Sequence, residues 1–324
     1  MLYFVIIVVL LFLGFLFFGR PRPNLPTPTA DIETKLGRTT FCHYRSKMRE
    51  GKGTIALVHG FCENHLYFQT VAEPLTEAGH DCIAINLFGY CGSLPNESNT
   101  YTVQQYARQI REALLELKRL RQIKRLVAVW GHSMGGVAVY SASTDIINGH
   151  PEVQAIFLEN AGFDANLTLL SRVIKPLASL ANFAGPRHLL QPFVNLFFAH
   201  AINDPQAKRF IKMIVTDYAP KKDAAIANLN SLSKITFSTD NLSESTLKRM
   251  YFIFSKKDKL ISFRKIQKSI ITKLRENPLF KEEQLLIIPQ VDHFISLQAP
   301  LEIANVVLRR LETQPSSVLA QAAQ

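Results

Sequence analysis

The sequence predicts an α/β domain: a mostly parallel sheet with helices on both faces, interrupted by a helical cap insert and preceded by one membrane-spanning helix. Three observations lead there. Between about residues 38 and 312, short apolar runs alternate with stretches of helical periodicity. The alternation lapses over 161–245, where strand-like runs are scarce. At the start, Leu2 to Gly19 carries no charged residue. The 324 residues are 47% hydrophobic and 19% charged, enough apolar material for a large core, which excludes global disorder and a fibrous repeat.

Taken in order, the first element is the run LYFVIIVVLLFLGFLFFG. As a helix it would span about 27 Å, close to the hydrocarbon thickness of a bilayer. It lacks Lys or Arg before its apolar stretch, and FFGRPRP after it is a poor small-residue cleavage site, so residues 1–19 read as a retained anchor rather than a cleaved leader. Arg20 and Arg22 follow it directly, and the positive-inside rule then puts the rest of the chain on the cytoplasmic side of the membrane. Residues 20–37 read as a proline-rich linker, with four prolines in RPRPNLPTPTA.

The catalytic domain is expected over 38–312. Thr54–Val58, Asp81–Leu87, Leu126–Trp130, Ala155–Leu158, Met250–Phe254 and Leu285–Ile288 are apolar throughout, as parallel strands covered on both faces should be. Helices are expected near 65–78, 102–121, 135–147, 262–276 and 298–312. In the insert, Leu167, Leu170, Ile174 and Leu177 share one helical face, and Leu189 to Phe198 is densely apolar, with Pro176, Pro186 and Pro192 keeping its helices short. Residues 313–324 read as a tail.

Thirty-seven Lys and Arg against 26 Asp and Glu leave a net charge of +11. No zinc-ligand spacing or RNA-binding signature accompanies it, so nucleic acid is not an expected partner and an anionic membrane surface is. Lys118, Arg119, Arg121, Lys124 and Arg125 cluster at a helix end, where cations suit the helix dipole. Lys256, Lys257 and Lys259, with Lys208, Arg209 and Lys212 of the insert, could meet an anionic headgroup. Cys42, Cys62, Cys82 and Cys91 show neither a C-x-x-C pair nor metal spacing and read as buried thiols. The sequons at Asn96, Asn166 and Asn241 would matter only in a secretory lumen.

Chemistry concentrates in Trp130-Gly131-His132-Ser133-Met134-Gly135-Gly136. Here G-x-S-x-G directly follows a strand and opens a helix, the setting in which a sharp turn lifts a serine hydroxyl above a sheet edge. A serine needs a base, and His293 follows the strand QLLIIP where a loop leaves its carboxyl end. The other histidines are less well placed: His132 should point away, His43, His65, His80 and His150 sit in helix or loop contexts, and His188 and His200 lie in the insert. Asp258, after the strand MYFIF, is the expected acid, with Asp164 and Glu159 in reserve; Asp292 is too close in sequence to His293 to orient it well. Two amides should face a developing oxyanion, those of Met134 and of Phe61 in His59-Gly60-Phe61-Cys62.

The runs HGF at 59–61, NLFGYCGS at 86–93, GHSMGG at 131–136, SKKDKL at 255–260 and DHF at 292–294 together resemble the α/β-hydrolase superfamily, and within it the monoacylglycerol lipase and lysophospholipase-like branch. The resemblance spans about residues 40–312. It implies the α/β-hydrolase fold with a helical cap, a Ser133, Asp258, His293 triad in acyl ester hydrolysis, and no metal or organic cofactor. The 86–93 loop departs from the family's D-x-x-G-x-G-x-S form at Asn86, Tyr90 and Cys91. With the anchor, the expectation is a membrane-bound carboxylic ester hydrolase acting on single-chain lipids, monoacylglycerol or lysophospholipid. An acyltransferase or thioesterase using the same acyl-enzyme, a peptidase of the same branch and a non-catalytic tethered binding module stay open.

Overall fold

The computed structural model describes residues 30–97, 101–163 and 242–313, with scattered residues between 204 and 240. The anchor expected over 1–19, residues 20–29 of the linker, most of the insert and the tail beyond Thr313 lie outside them. Among the described residues no helix is long and apolar enough to cross a membrane.

One sheet holds nine strands in this region: β1 (Ala30–Thr34), β2 (Gly37–Tyr44), β3 (Gly53–Val58), β4 (His80–Ile85), the two-residue β5 (Leu94–Pro95), β6 (Leu126–His132), β7 (Ala155–Glu159), β8 (Met250–Ser255) and β9 (Leu285–Ile288). Their order is β1-β2-β4-β3-β6-β7-β8-β9, with β5 on β2. From β4 to β9 every pairing is parallel, and β1 and β2 add an antiparallel edge. The helices are α1 (Gln69–Glu77), entered through a tight 3₁₀ turn (His65–Phe68), α2 (Val103–Arg119), α3 (Ser133–Gly149), the short α4 (Glu244–Leu247), α5 over 263–276 with a π-helical turn at Gln267–Ile271, the short α6 (Ile295–Gln298) and α7 (Pro300–Thr313).

The pleat explains how a continuous apolar run serves two cores. In β3, Ala56 and Val58 pack with α2, α3 and α5, while Ile55 and Leu57 point the other way, onto α1 and α7. Burial on both faces is what made β6, β7 and β8 legible. From the insert, Leu232 and Phe237 rest on the first of these cores: Phe237 packs edge-on against Phe163 and Phe252, and the Val103 amide donates to Ser231 Oγ at 2.9 Å.

Several expectations need correction. β1 falls inside the expected linker of 20–37 and is paired along its whole length with β2, so the folded domain starts by Ala30 rather than at 38. β1 mixes exposed and buried positions and β2 half-buried and buried ones, and both lack the apolar run that marks a central strand. His43 lies on β2 and His80 opens β4, not in helix or loop, though on the amino side of the sheet. The four cysteines are free thiols, two of them only half-buried. The expected local role of the basic cluster near α2 needs no correction: Lys118 pairs with Glu152, Arg119 with Glu116, and Arg125 donates to the Lys52 carbonyl.

Candidate active site

The carboxyl ends of five adjacent strands meet at one edge of the sheet, and each delivers one part of the site. β6 ends in the elbow. Ser133 has φ 50°, a left-handed conformation that a residue with a side chain adopts only under constraint, and α3 begins at the same residue. Two neighbours permit the turn. A Cβ on Gly131 would lie 2.6 Å from the Gly135 carbonyl oxygen, and a Cβ on Gly135 would lie 2.4 Å from the carbonyl oxygens of both Val58 and His59. The motif's glycines are therefore the space through which α3 closes onto β3. Starting the helix there leaves the Met134 amide in a first turn that has no intrahelical acceptors to offer.

β8 and β9 supply the acid and the base. His293 Nδ1 lies 2.7 Å from Asp258 Oδ2, while Asp258 Oδ1 accepts from the amides of Leu260 and Ile261, each at 2.8 Å. Both side chains are buried. Burial opposes a charge on the imidazole, but the adjacent Asp258 carboxylate more than offsets this and holds His293 above its ordinary 6.5. The expected pair of Asp258 and His293 is thus brought into contact, whereas Asp292 turns away to bond Gln298. Of the reserve acids, Asp164 lies outside the described residues. Glu159 is committed elsewhere: it accepts from Tyr67 Oη at 2.7 Å, Trp130 Nε1 at 2.9 Å, and the Ser296 amide and hydroxyl at 3.0 and 2.7 Å.

No hydrogen bond among the described residues joins Ser133 to His293, a contact that in unliganded sites often tightens only with substrate. The elbow meets the base loop through His132 instead. Its Nε2 lies 3.1 Å from the His293 carbonyl oxygen, its ring centroid 4.9 Å from that of His293, and its other face stacks on Tyr67 at 4.2 Å. The expectation that His132 points away from the site is corrected accordingly. Asn160, directly after β7, donates from Nδ2 to the same carbonyl at 2.8 Å and ties back to the Ser255 amide on β8. Its φ of 42° suits an asparagine, and a strand-end Asn two residues from Gly162 was the available sequence signal.

β3 ends in His59-Gly60-Phe61. His59, buried and pushed down to about 3 by that burial, bridges the Gly60 carbonyl and the Leu87 amide as a neutral ring. The Gly60 amide donates to Glu63 Oε2 at 2.7 Å, which turns the chain so that Phe61 follows at the rim. Cys62, at φ 58°, is buried; desolvation drives its thiol well above its ordinary range, which suits packing rather than attack. Tyr90 and Asn86, the departures noted in the 86–93 loop, are structural. The Tyr90 hydroxyl lies 3.4 Å from the Cys62 amide and accepts from Asn228, and Asn86 staples His65 to Thr40. Among the described residues no group of three or more His, Cys, Asp and Glu is placed to hold a metal ion.

Residues 53–300 match the alpha/beta hydrolase fold family. The chain belongs to that family. Among solved structures, this alpha/beta hydrolase is similar to an esterase from Exiguobacterium antarcticum at 15% identity and TM-score 0.64, with 88% of this chain and 99% of that one covered. A thermophilic esterase from Thermogutta terrifontis gives 15% identity and 0.65 over 88% and 99%, and a bromoperoxidase from Bacillus anthracis 15% and 0.65 over 87% and 100%. At such identities the likeness is one of fold. No curated protein sequence matches the chain.

Proposed function

We propose that the chain is a membrane-anchored serine hydrolase that cleaves carboxylic esters of single-chain lipids, monoacylglycerol or lysophospholipid. The observation that carries the reading is the buried Asp258–His293 pair, set on the sheet edge beside a serine held at positive φ. In this reading Ser133 is the nucleophile. His293 Nε2 takes its proton as Oγ attacks the ester carbonyl, then returns it to the departing alcohol. Water, activated by the same nitrogen, breaks the acyl-enzyme to give the fatty acid and free Ser133. Asp258 keeps the Nδ1 proton in place and balances the imidazolium, and the amides of Phe61 and Met134 face the oxyanion. No step calls for a metal or organic cofactor.

The lipid part rests on two features of the sequence: an uncharged anchor that would hold the domain at an interface, and the apolar run Leu189 to Phe198 in the insert. Single-chain amphiphiles leave a bilayer more readily than two-chain lipids. The esterases among the similar folds support ester cleavage. The test is labelling with a fluorophosphonate probe followed by acyl esters of rising chain length. Wild type should label, Ser133→Ala should not, and turnover should rise towards dodecanoyl and longer esters. Retained esterase activity in Ser133→Ala would overturn the mechanism, and a preference for acetyl esters would overturn the lipid substrate.

A further inference from the structure

Glu63 is a fully buried carboxyl in a loop that the hydrolytic scheme leaves unexplained. Its Oε2 makes two contacts, 2.7 Å to the Gly60 amide and 3.0 Å to His132 Nδ1. His132 in turn meets the His293 carbonyl oxygen through Nε2 at 3.1 Å. A carbonyl can only accept, so Nε2 must carry a hydrogen. In a neutral imidazole Nδ1 is then a bare lone pair, and a carboxylate oxygen facing it would repel it. The proton between them must sit on Glu63, or else the pair is a buried imidazolium and carboxylate. The surroundings favour the neutral form. Tyr67 stacks on His132, Phe294 leans on its ring, and both side chains of the pair are buried.

We propose that Glu63 is a proton-bearing positioning residue, whose carboxyl donates to His132 Nδ1 while accepting from the Gly60 amide, so that one side chain couples the loop presenting Phe61 to the loop carrying His293. The inference rests on the serine-hydrolase reading. Titratable groups face Glu63 from every side: His132 from β6, His293 from the loop after β9, Tyr67 from the 3₁₀ turn and Cys62 beside it. Glu159 and Asp258 act on His132 from further off. Desolvation pushes Glu63 up to about 8, against the pull of the Gly60 amide, and His132 down to about 4, so both are neutral between those values. Above about pH 8 Glu63 ionises. His132 must then present Nδ1–H to the carboxylate and turn a lone pair on the His293 carbonyl, and the tie to the base loop is lost.

The test compares the full-length wild type with Glu63→Gln and Glu63→Ala. Gln keeps the shape and has nothing to titrate; with its amide nitrogen in the Oε2 place it donates to Nδ1 and gives up the bond from the Gly60 amide. Wild-type kcat/KM should fall severalfold as pH rises past about 8; Glu63→Gln should keep clearly more activity than Glu63→Ala at pH 7 and lose that fall. Glu63→Ala should drop by tenfold or more, as a misplaced catalytic loop does. Stability gives a readout independent of activity. The carboxyl stays protonated to about pH 8 folded but titrates near 4.5 unfolded, so wild type should lose stability relative to Glu63→Gln as pH rises across that window. An unchanged stability difference across the window, or a Glu63→Gln variant that loses activity as Glu63→Ala does, would overturn the proposal. Failure of the wild type to label with fluorophosphonate would overturn the serine-hydrolase reading alone, since the stability comparison still reports the proton.

Discussion

At the scale of single residues, the site is a set of neutral and charged rings sorted by what faces them. His59 and His132 are buried without a close carboxylate able to win against desolvation, and both are held uncharged. His293 is equally buried but has Asp258 at 2.7 Å, and it is the one pushed upward. A base must be neutral to accept a proton, so activity should decline as pH falls through a value above 6.5. Asp258→Asn removes the neighbouring charge and leaves burial less opposed. We expect turnover to drop about 10³- to 10⁴-fold, with the acid limb of the remaining kcat/KM profile moved to lower pH. A profile that keeps its wild-type acid limb would show that Asp258 does not set the titration.

At the scale of elements, positions are set by contacts between strand ends. The His293 carbonyl accepts from His132 on β6 and from Asn160 after β7, and Asn160 also pins the Ser255 amide on β8. Glu159 gathers four donors from β6, α6 and the 3₁₀ turn below the same point. These groups orient the base loop without touching a substrate. The tightest junction is α3 against β3. Gly135→Ala would drive a methyl group into two carbonyl oxygens and should cost at least about 2 kcal/mol, read as a lowered midpoint in denaturant unfolding. An unchanged midpoint would mean that α3 can shift away from β3 freely.

At the scale of the whole molecule, the described sheet begins at Ala30, and Ile32 is the first described residue of its cores. Removing residues 1–29 should therefore leave thermal unfolding of the domain nearly unchanged. On the proposed anchored reading it should also shift the protein into the soluble fraction, with hydrolysis of short soluble esters retained. Truncated protein that still sediments with membranes would remove the anchor from the reading. At the end of α2, Lys118 and Arg119 pair with Glu152 and Glu116.

The central strands, the glycine-flanked turn at Ser133 and the meeting of Asp258 with His293 were readable from the sequence pattern, because a strand covered on both faces is apolar throughout and the two polar residues each follow such a run. The edge strands β1 and β2 were hidden, since half-buried and exposed positions dilute their pattern into that of a linker. Glu63 and the inward turn of His132 were also out of reach, and Asn160 offered only its place at a strand end before Gly162. Which carbonyl a buried polar group meets, and which of its nitrogens must carry the proton, depends on partners up to 161 positions away, brought together only when parallel strands align their carboxyl ends.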